Sequence, residues 1–427
     1  MAGIVAGSRS QEIDRRCRVS LWLARSASRR PALLDCRPSL RGSRSLSTST
    51  ISLRRAPRHI APLRPHEGVC RRAASFLRFA GCRRIASYDH RVVVGKIEER
   101  VHVLVTGGAG YIGSHTAKTL AQSGMQPIVL DDLKRGHREA VKWGPLIEAD
   151  AGDRSALDRV FAQYPIDAVL HFAAFAYVGE SMRAPELYFR NNLVNTLNLL
   201  EAMRSRNVGK IVFSSTCATY GNPLQIPITE KHIQQPVNPY GESKLMVERL
   251  LHWYGCIHNL HWVALRYFNA AGADPDGELG ENHDPETHLV PLAIRAAMPP
   301  NQPLEIYGTD YDTPDGTAIR DYLHVTDLAQ AHVAALRYLD AGKASDAFNL
   351  GTGQGHSVRE VVAMVEKVSG RKAAVREVGR RAGDPACLVA DATKSAEQMG
   401  WRPQHSTLEE IVKTAWNWKV KSSHQLT

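Results

Sequence analysis

The chain has 427 residues and a formal net charge of +11. That excess is local, because residues 1–100 carry 21 Arg and one Lys against seven acids, which leaves residues 101–427 weakly acidic. Net charge therefore gives no reason to expect a nucleic-acid partner for the body of the chain. No run of 18 apolar residues occurs, so no membrane-spanning helix is expected.

Residues 1–98 are rich in Arg and Ser, include the run Ser43–Thr50, and show no sustained apolar period. They are expected to form a disordered leader that builds no core. Their composition fits an organelle transit segment or an upstream extension of the reading frame. Of seven cysteines, four lie in this leader, and the three of the body, Cys217, Cys256 and Cys387, are far apart. That spacing gives neither a disulfide framework nor a metal site, and it fits a reducing, cytoplasmic setting.

From Val101 short apolar runs alternate with helix-length amphipathic stretches. Strands are expected at Val101–Thr106, Pro127–Leu130, Ala168–Phe172, Lys210–Ser214 and Trp262–Arg266. Helices are expected at Tyr111–Gln122, Ser155–Gln163, Glu186–Arg206 and Tyr240–His258. Such alternation implies right-handed crossovers and an α/β fold, a doubly wound parallel sheet of the Rossmann type. Around Asn269 it gives way to sequence rich in Gly, Pro and Asp, read as the start of a smaller mixed α/β substrate-binding domain. The expected layout is leader 1–98, dinucleotide-binding domain 99–268, substrate domain 269–420 and tail 421–427.

The first strand runs into Thr106-Gly107-Gly108-Ala109-Gly110-Tyr111-Ile112-Gly113 and then a helix. In a dinucleotide site the three spaced glycines, Gly107, Gly110 and Gly113, serve a tight turn, close approach of backbone to a pyrophosphate, and helix–strand packing. Eighteen residues after Gly113, at the end of the second strand, stand Asp131 and Asp132. A carboxylate there accepts both hydroxyls of the adenosine ribose and repels a ribose phosphate, so Asp131 points to NAD rather than NADP.

Two further segments carry proton chemistry. In Tyr240-Gly241-Glu242-Ser243-Lys244, phenol and ammonium share one helix face, and a nearby ammonium favours the phenolate. The Tyr240 pKa is therefore expected to fall from about 10 towards working pH, making it a base for a substrate hydroxyl. Lys244 is expected to hold the nicotinamide ribose as well. In Ser214-Ser215-Thr216, at the end of a central strand, the Thr216 hydroxyl faces the ligand crevice and is expected to hold the same substrate oxygen. The backbone at Ser214 is expected to line the cofactor.

The glycine turn, the Ser-Ser-Thr run and the Tyr240/Lys244 pair together resemble the extended short-chain dehydrogenase/reductase superfamily. His171-Phe172-Ala173-Ala174, Val178-Gly179-Glu180-Ser181, Arg266-Tyr267-Phe268-Asn269, Gly308-Thr309-Asp310-Tyr311, Asp315-Gly316-Thr317 and Arg320–Val325 narrow the resemblance to the bacterial UDP-glucose 4-epimerase family. It covers roughly Val101 to Trp418. It implies that Tyr240 takes the proton from the hydroxyl on carbon 4 of a UDP-sugar while hydride passes to tightly held NAD. The 4-keto sugar then turns over about its diphosphate link, and hydride and proton return with inverted configuration. By the same resemblance Asp150 and Ala151 lie near the adenine, and Phe172, Ala173, Asn191 and Phe268 line the cofactor with Tyr111 and Ile112. Asn269, Arg320, Arg381 and Asp384 bind the UDP part, Leu289 and Tyr307 line the uracil pocket, and Leu388 closes the back of the sugar pocket. The family implies a homodimer that pairs helices of the dinucleotide domain.

The chain departs from the family pattern at Ala176, where relatives carry a lysine, and at His288, where they carry Asn. A medium-sized Leu388 leaves room for N-acetyl sugars. A dehydratase needs an acid and a base directly after the catalytic hydroxyl, where this chain has Cys217 and Ala218. The alternatives are a UDP-xylose/UDP-arabinose 4-epimerase and, in another class, a non-catalytic NAD-binding regulatory protein.

Overall fold

The computed structural model describes residues 100–381 and 383–424. The expectations for residues 1–98 lie outside the described residues. In chain order β1 (His102–Thr106), α1 (Tyr111–Gln122), β2 (Gln126–Asp131), β3 (Leu146–Glu148), α2 (Arg154–Gln163) and β4 (Ala168–His171) come first. They are followed by α3 (Val178–Ser181), α4 (Pro185–Tyr188), α5 (Asn195–Ser205), β5 (Lys210–Ser214), α6 (Pro239–His258) and β6 (His261–Tyr267). Next come β7 (Asn269–Ala271), α7 (Leu289–Ala297), β8 (Leu304–Tyr307), β9 (Ile319–Arg320), β10 (Tyr322–His324) and α8 (Val325–Asp340). The last are β11 (Asp346–Leu350), β12 (His356–Ser357), α9 (Val358–Ser369), β13 (Val375–Val378), β14 (Cys387–Leu388), α10 (Thr393–Gln398) and α11 (Leu408–His424).

Seven strands form one sheet in the order β11-β6-β5-β4-β1-β2-β3. Every pairing in it is parallel. Strands of such a sheet are covered on both faces, which is why they read as unbroken apolar runs. Alternate residues of β1 make the point. Leu104 joins a cluster with Leu130, Leu157, Leu199, Met203 and Val247 on one face, while Val103 and Val105 join Leu120, Leu328, Leu336 and Phe348 on the other. The order reverses between β1 and β4, and that switch point opens a crevice at the carboxyl ends of the strands.

The sequence-read strands and helices of this sheet stand within a residue or so of their expected places, with two differences. The stretch expected as one helix, Glu186–Arg206, contains a π-helical segment at Phe189–Val194 between α4 and α5. Asn192 sits in it, accepting from Phe175 N at 2.8 Å and donating to Ser243 Oγ at 3.0 Å. Widening the turn there aims this amide between the β4 loop and α6. The second difference is connectivity. The chain leaves the sheet at Tyr267 and returns through α8 to add β11, so the two lobes interleave instead of dividing cleanly at residue 268.

The smaller lobe has its own core, in which Val290, Ala293 and Ile294 of α7 meet Val361 and Val365 of α9 and Ile411 and Val412 of α11. Its short strands pair as β8 with β13, and as β12-β9-β14. The second set places Leu388 opposite Arg320 in register. Among the described residues no helix is long and apolar enough to cross a membrane.

Candidate active site

The glycine turn sits at the carboxyl end of β1, as its strand–turn–helix sequence requires. Gly107 has φ +74°, and a Cβ there would lie 2.5 Å from Ala173 N, so the turn packs directly against the Phe172–Ala173 segment after β4. A Cβ on Gly113 would meet Gly107 O at 2.2 Å. At Gly110, by contrast, the nearest neighbour stands at 3.3 Å and the surface is open. Helix α1 begins there with no side-chain cap and no acid in its first turn, whereas α2 is capped by Asp153 and α9 by Ser357 and Glu360. Its free amides and the positive end of its dipole suit a pyrophosphate. Asp131 is fixed at the edge of the crevice by Ala109 N at 3.0 Å and Leu133 N at 2.9 Å, and each of its oxygens keeps a lone pair for a ribose hydroxyl. Burial raises its pKa above the usual carboxylate value. Asp150 accepts from Gly152 N and Asn195 Nδ2, with Ala151 buried beside it. These residues therefore fit NAD. Asn191 lies in the π segment, where its amide donates to Asn192 at 3.1 Å. The Tyr111 hydroxyl is spent on Gly272 O at 2.6 Å. Ile112 packs against the core cluster that also holds Phe172 and Leu120.

Tyr240 opens α6, whose N-cap is Asn238 and whose first turn holds Pro239. Thr216 ends the strand segment opposite and caps the next turn by accepting from Ala218 N at 3.1 Å. Its hydroxyl lies beside the Tyr240 phenol and pulls the phenol's pKa down. Burial outweighs that, and with Tyr267 alongside it holds Tyr240 well above the ordinary tyrosine value. The expected fall of the Tyr240 pKa is thus not what the protein alone produces. Lys244, which was to cause it, donates instead to Ser214 O at 2.8 Å and is itself pushed by burial down to about 7. Two groups that are 7% and 3% exposed both resist charge.

A residue the sequence reading passed over shapes this helix face. Glu248 stands four residues beyond Lys244, accepts from Ser215 Oγ at 2.5 Å, and is paired with Arg266 at 2.6 Å. Arg266 also donates to Tyr220 OH at 2.9 Å. The repeat Tyr240, Lys244, Glu248 was a legible signal, since residues at i, i+4 and i+8 share a face. A buried carboxylate next to a buried guanidinium anchors α6 to β6 and helps keep Lys244 charged.

The smaller lobe supplies the opposite wall. Arg320 donates to Asp384 Oδ1 at 2.8 Å, so these two expected nucleotide contacts pair with each other. The guanidinium of Arg381 lies 4.2 Å from the Tyr307 ring centre, a cation–π contact. Asn269 pairs through β7 with Tyr322 of β10, next to Arg320. Leu289 is the first residue of α7, directly after His288. Leu388 packs on the cluster of Cys217, Tyr220 and Phe268, which brings the strand-end threonine and the β14 side of the pocket together. Burial drives the Cys217 thiol up to about 12, so it is an apolar wall and not a nucleophile.

A Rossmann sheet with an uncapped glycine-turn helix, an acid at the end of β2, and a Thr/Tyr/Lys set across the crevice defines a nicotinamide-using enzyme of the short-chain dehydrogenase/reductase type. The model of the NAD dependent epimerase/dehydratase family matches residues 103–351, and the chain belongs to that family. It is 51% identical over 321 residues to a UDP-glucose 4-epimerase of Rhizobium leguminosarum bv. trifolii, covering 75% of this chain and 98% of that one. Its structure is similar to that of a UDP-glucose 4-epimerase from Brucella ovis in complex with NAD, with TM-score 0.73 and 51% identity over 74% of this chain and 98% of that one. It is also similar, with TM-score 0.74 and 38% identity over 76% of this chain and 100% of that one, to the enzyme from Stenotrophomonas maltophila with NAD and formylated UDP-arabinopyranose.

Proposed function

We infer that this chain is an NAD-dependent 4-epimerase that interconverts UDP-glucose and UDP-galactose through a 4-keto sugar nucleotide. The observation that carries it is the convergence of Thr216, Tyr240 and Lys244 at the mouth of β5, with the paired Arg320–Asp384 and the Arg381–Tyr307 stack on the facing lobe. NAD, when bound at the glycine turn, supplies the hydride acceptor and donor and a positive ring charge. Tyr240 removes the proton from the carbon-4 hydroxyl and later returns it, while Thr216 holds that oxygen in line. Lys244, whose pKa burial pushes down to about 7, carries the charge that stabilises the phenolate once substrate is in place.

The guanidiniums of Arg320 and Arg381 suit a diphosphate, since each offers a planar fork of donors. Asn269, Asp384, Leu289 and Tyr307 complete the UDP anchor. Leu388 bounds the hexose, which must be held loosely enough to turn over. Asp131, Asp150, Ala151, Phe172, Ala173, Asn191, Ser214 and Phe268 hold the cofactor in this reading. We place the enzyme in the cytoplasm, where the free cysteines Cys217, Cys256 and Cys387 stay reduced. We further assign a homodimer, supported by Trp253 and Ile257, one turn apart on α6 and 61% and 65% exposed, with Leu187 and Val194 also exposed.

The test is Tyr240→Phe. Removing one hydroxyl should leave bound NAD and UDP affinity in place and lower kcat by about 10²–10⁴. A variant that keeps wild-type turnover would refute Tyr240 as the base.

A further inference from the structure

The loop that leads into α7 holds a cluster that the epimerase reading does not use. Glu281, His283, Glu286 and His288 each turn one ligand-type atom inward, and these four atoms all lie within 4.8 Å of one another. The Nδ1 atoms of both histidines converge on Glu281 Oε1, at 3.0 Å for His283 and in close contact for His288. Glu286 approaches from the other side, 3.9 Å from His283 Nδ1 and 3.7 Å from His288 Nδ1.

The two carboxylates are deeply buried, with side chains 5% and 3% exposed. Burying two carboxylates together demands compensating positive charge. Among the described residues no Lys or Arg bridges either one. A few residues upstream the chain solves the same problem differently, where Asp274, Asp276 and Glu278 all close on Lys118 Nζ at 2.7–2.9 Å. That acidic group already has its cation. At Glu286, moreover, Oε1 accepts from the amides of Thr287 and His288, while no described donor lies within hydrogen-bond distance of Oε2, which is aimed at His283.

We propose that Glu281, His283, Glu286 and His288 form a binding site for one divalent transition-metal ion of the zinc class. Two imidazole nitrogens and two carboxylate oxygens are a donor set for zinc. Ligands about 2.0–2.1 Å from a tetrahedral ion stand roughly 3.3 Å from each other, a value bracketed by the 3.0, 3.7 and 3.9 Å separations here. The backbone is fixed for the purpose, since Glu281 O accepts from Trp418 Nε1 at 3.3 Å and Asn282 O bonds His137 Nε2 at 2.7 Å. The His283 ring sits edge-on to Tyr111 and Tyr177, at 6.2 and 6.1 Å between centres. The ion thus ties the entrance of α7, beside Leu289, to the helix that follows the glycine turn. Its role is structural. It organises the loop, and no step of the reaction passes through it.

The full chain, without an affinity tag, is stripped with a chelator, loaded with Zn²⁺, desalted, and assayed for metal by mass spectrometry and for Tm with and without zinc. The result expected is one zinc per chain, a higher Tm with zinc, and the visible bands of a tetrahedral ion when Co²⁺ replaces it. His283→Gln with His288→Gln should weaken binding by about tenfold or more. Should that double variant fail to fold, the near-isosteric Glu286→Gln, checked by circular dichroism and bound NAD, serves in its place. Wild-type protein that retains no zinc and shows no Tm shift overturns the proposal. Equal zinc binding by wild type and the folded variant overturns it as well, because the metal then sits elsewhere.

Discussion

At the scale of single residues, the site is built from groups whose surroundings oppose their charged forms. Burial holds the Tyr240 phenol up and presses the Lys244 ammonium down to about 7, so neither is poised for catalysis by the other alone. In the proposed reaction the charge that completes the pair comes with the ligands, which would couple proton transfer to a filled site. The tyrosine and lysine were legible from a four-residue spacing, but the direction of the tyrosine shift was not, because spacing fixes a shared face and says nothing about depth of burial. Arg320 was expected as an anion contact, and in the structure it pairs with Asp384, the acid named beside it. Arg320→Lys keeps the charge and loses the fork, so KM for UDP-glucose should rise about tenfold with a smaller change in kcat, as read from initial rates. Unchanged KM would remove Arg320 from the nucleotide anchor.

At the scale of elements, the turn between β1 and α1 packs Gly107 and Gly113 against neighbouring backbone and ends at the helix start at Gly110. Its sequence could be read directly, since three glycines mark three places where a side chain would meet backbone or ligand. The helix start at Gly110 has no side-chain cap, so its first amides are left free at the end of the glycine turn. Gly113→Ala would set a Cβ 2.2 Å from Gly107 O, a backbone atom with no room to move aside. We expect this variant to lose bound NAD, measured after denaturation, together with several degrees of Tm; full NAD occupancy would contradict the packing role given to Gly113. The π segment at Phe189–Val194 escaped the sequence because an inserted residue in a helix leaves the apolar pattern nearly intact. The anchoring of α6 through Glu248 and Arg266 was signalled by a guanidinium inside an otherwise apolar strand, where a buried partner is obligatory.

At the scale of the whole molecule, the sheet could be read as far as β6, because its strands and helices alternate in sequence, except for the edge strand β3, whose three residues are too few to carry a pattern. The seventh strand could not, since β11 arrives after an excursion through the smaller lobe and local pattern carries no sign of the return. One consequence of this large, two-faced core is a set of buried histidines. Burial lowers His115, His324 and His332 to about 4 and His171 to about 3. Their folded pKa values lie below the unfolded value of about 6.5, so between the two the unfolded chain binds more protons. Stability is therefore fully present above pH 6.5 and is lost as pH falls towards 4, by about 1.4 kcal/mol per pH unit for each histidine. Urea melts at pH 7.5, 6.0 and 5.0 should show this decline, and His332→Leu, which keeps the contact with Phe172, should flatten it. An identical slope in that variant would contradict the assignment of a buried neutral imidazole at 332.

The proposed reaction combines a resident cofactor with a substrate that leaves with the opposite configuration at carbon 4. Its most direct test is to incubate the purified chain with UDP-glucose, adding no NAD, and to follow the sugar nucleotides by chromatography. UDP-galactose should appear and approach a fixed ratio with UDP-glucose, from either starting compound. Protein shown by denaturation to carry NAD, yet forming no epimer from either sugar nucleotide, would contradict it.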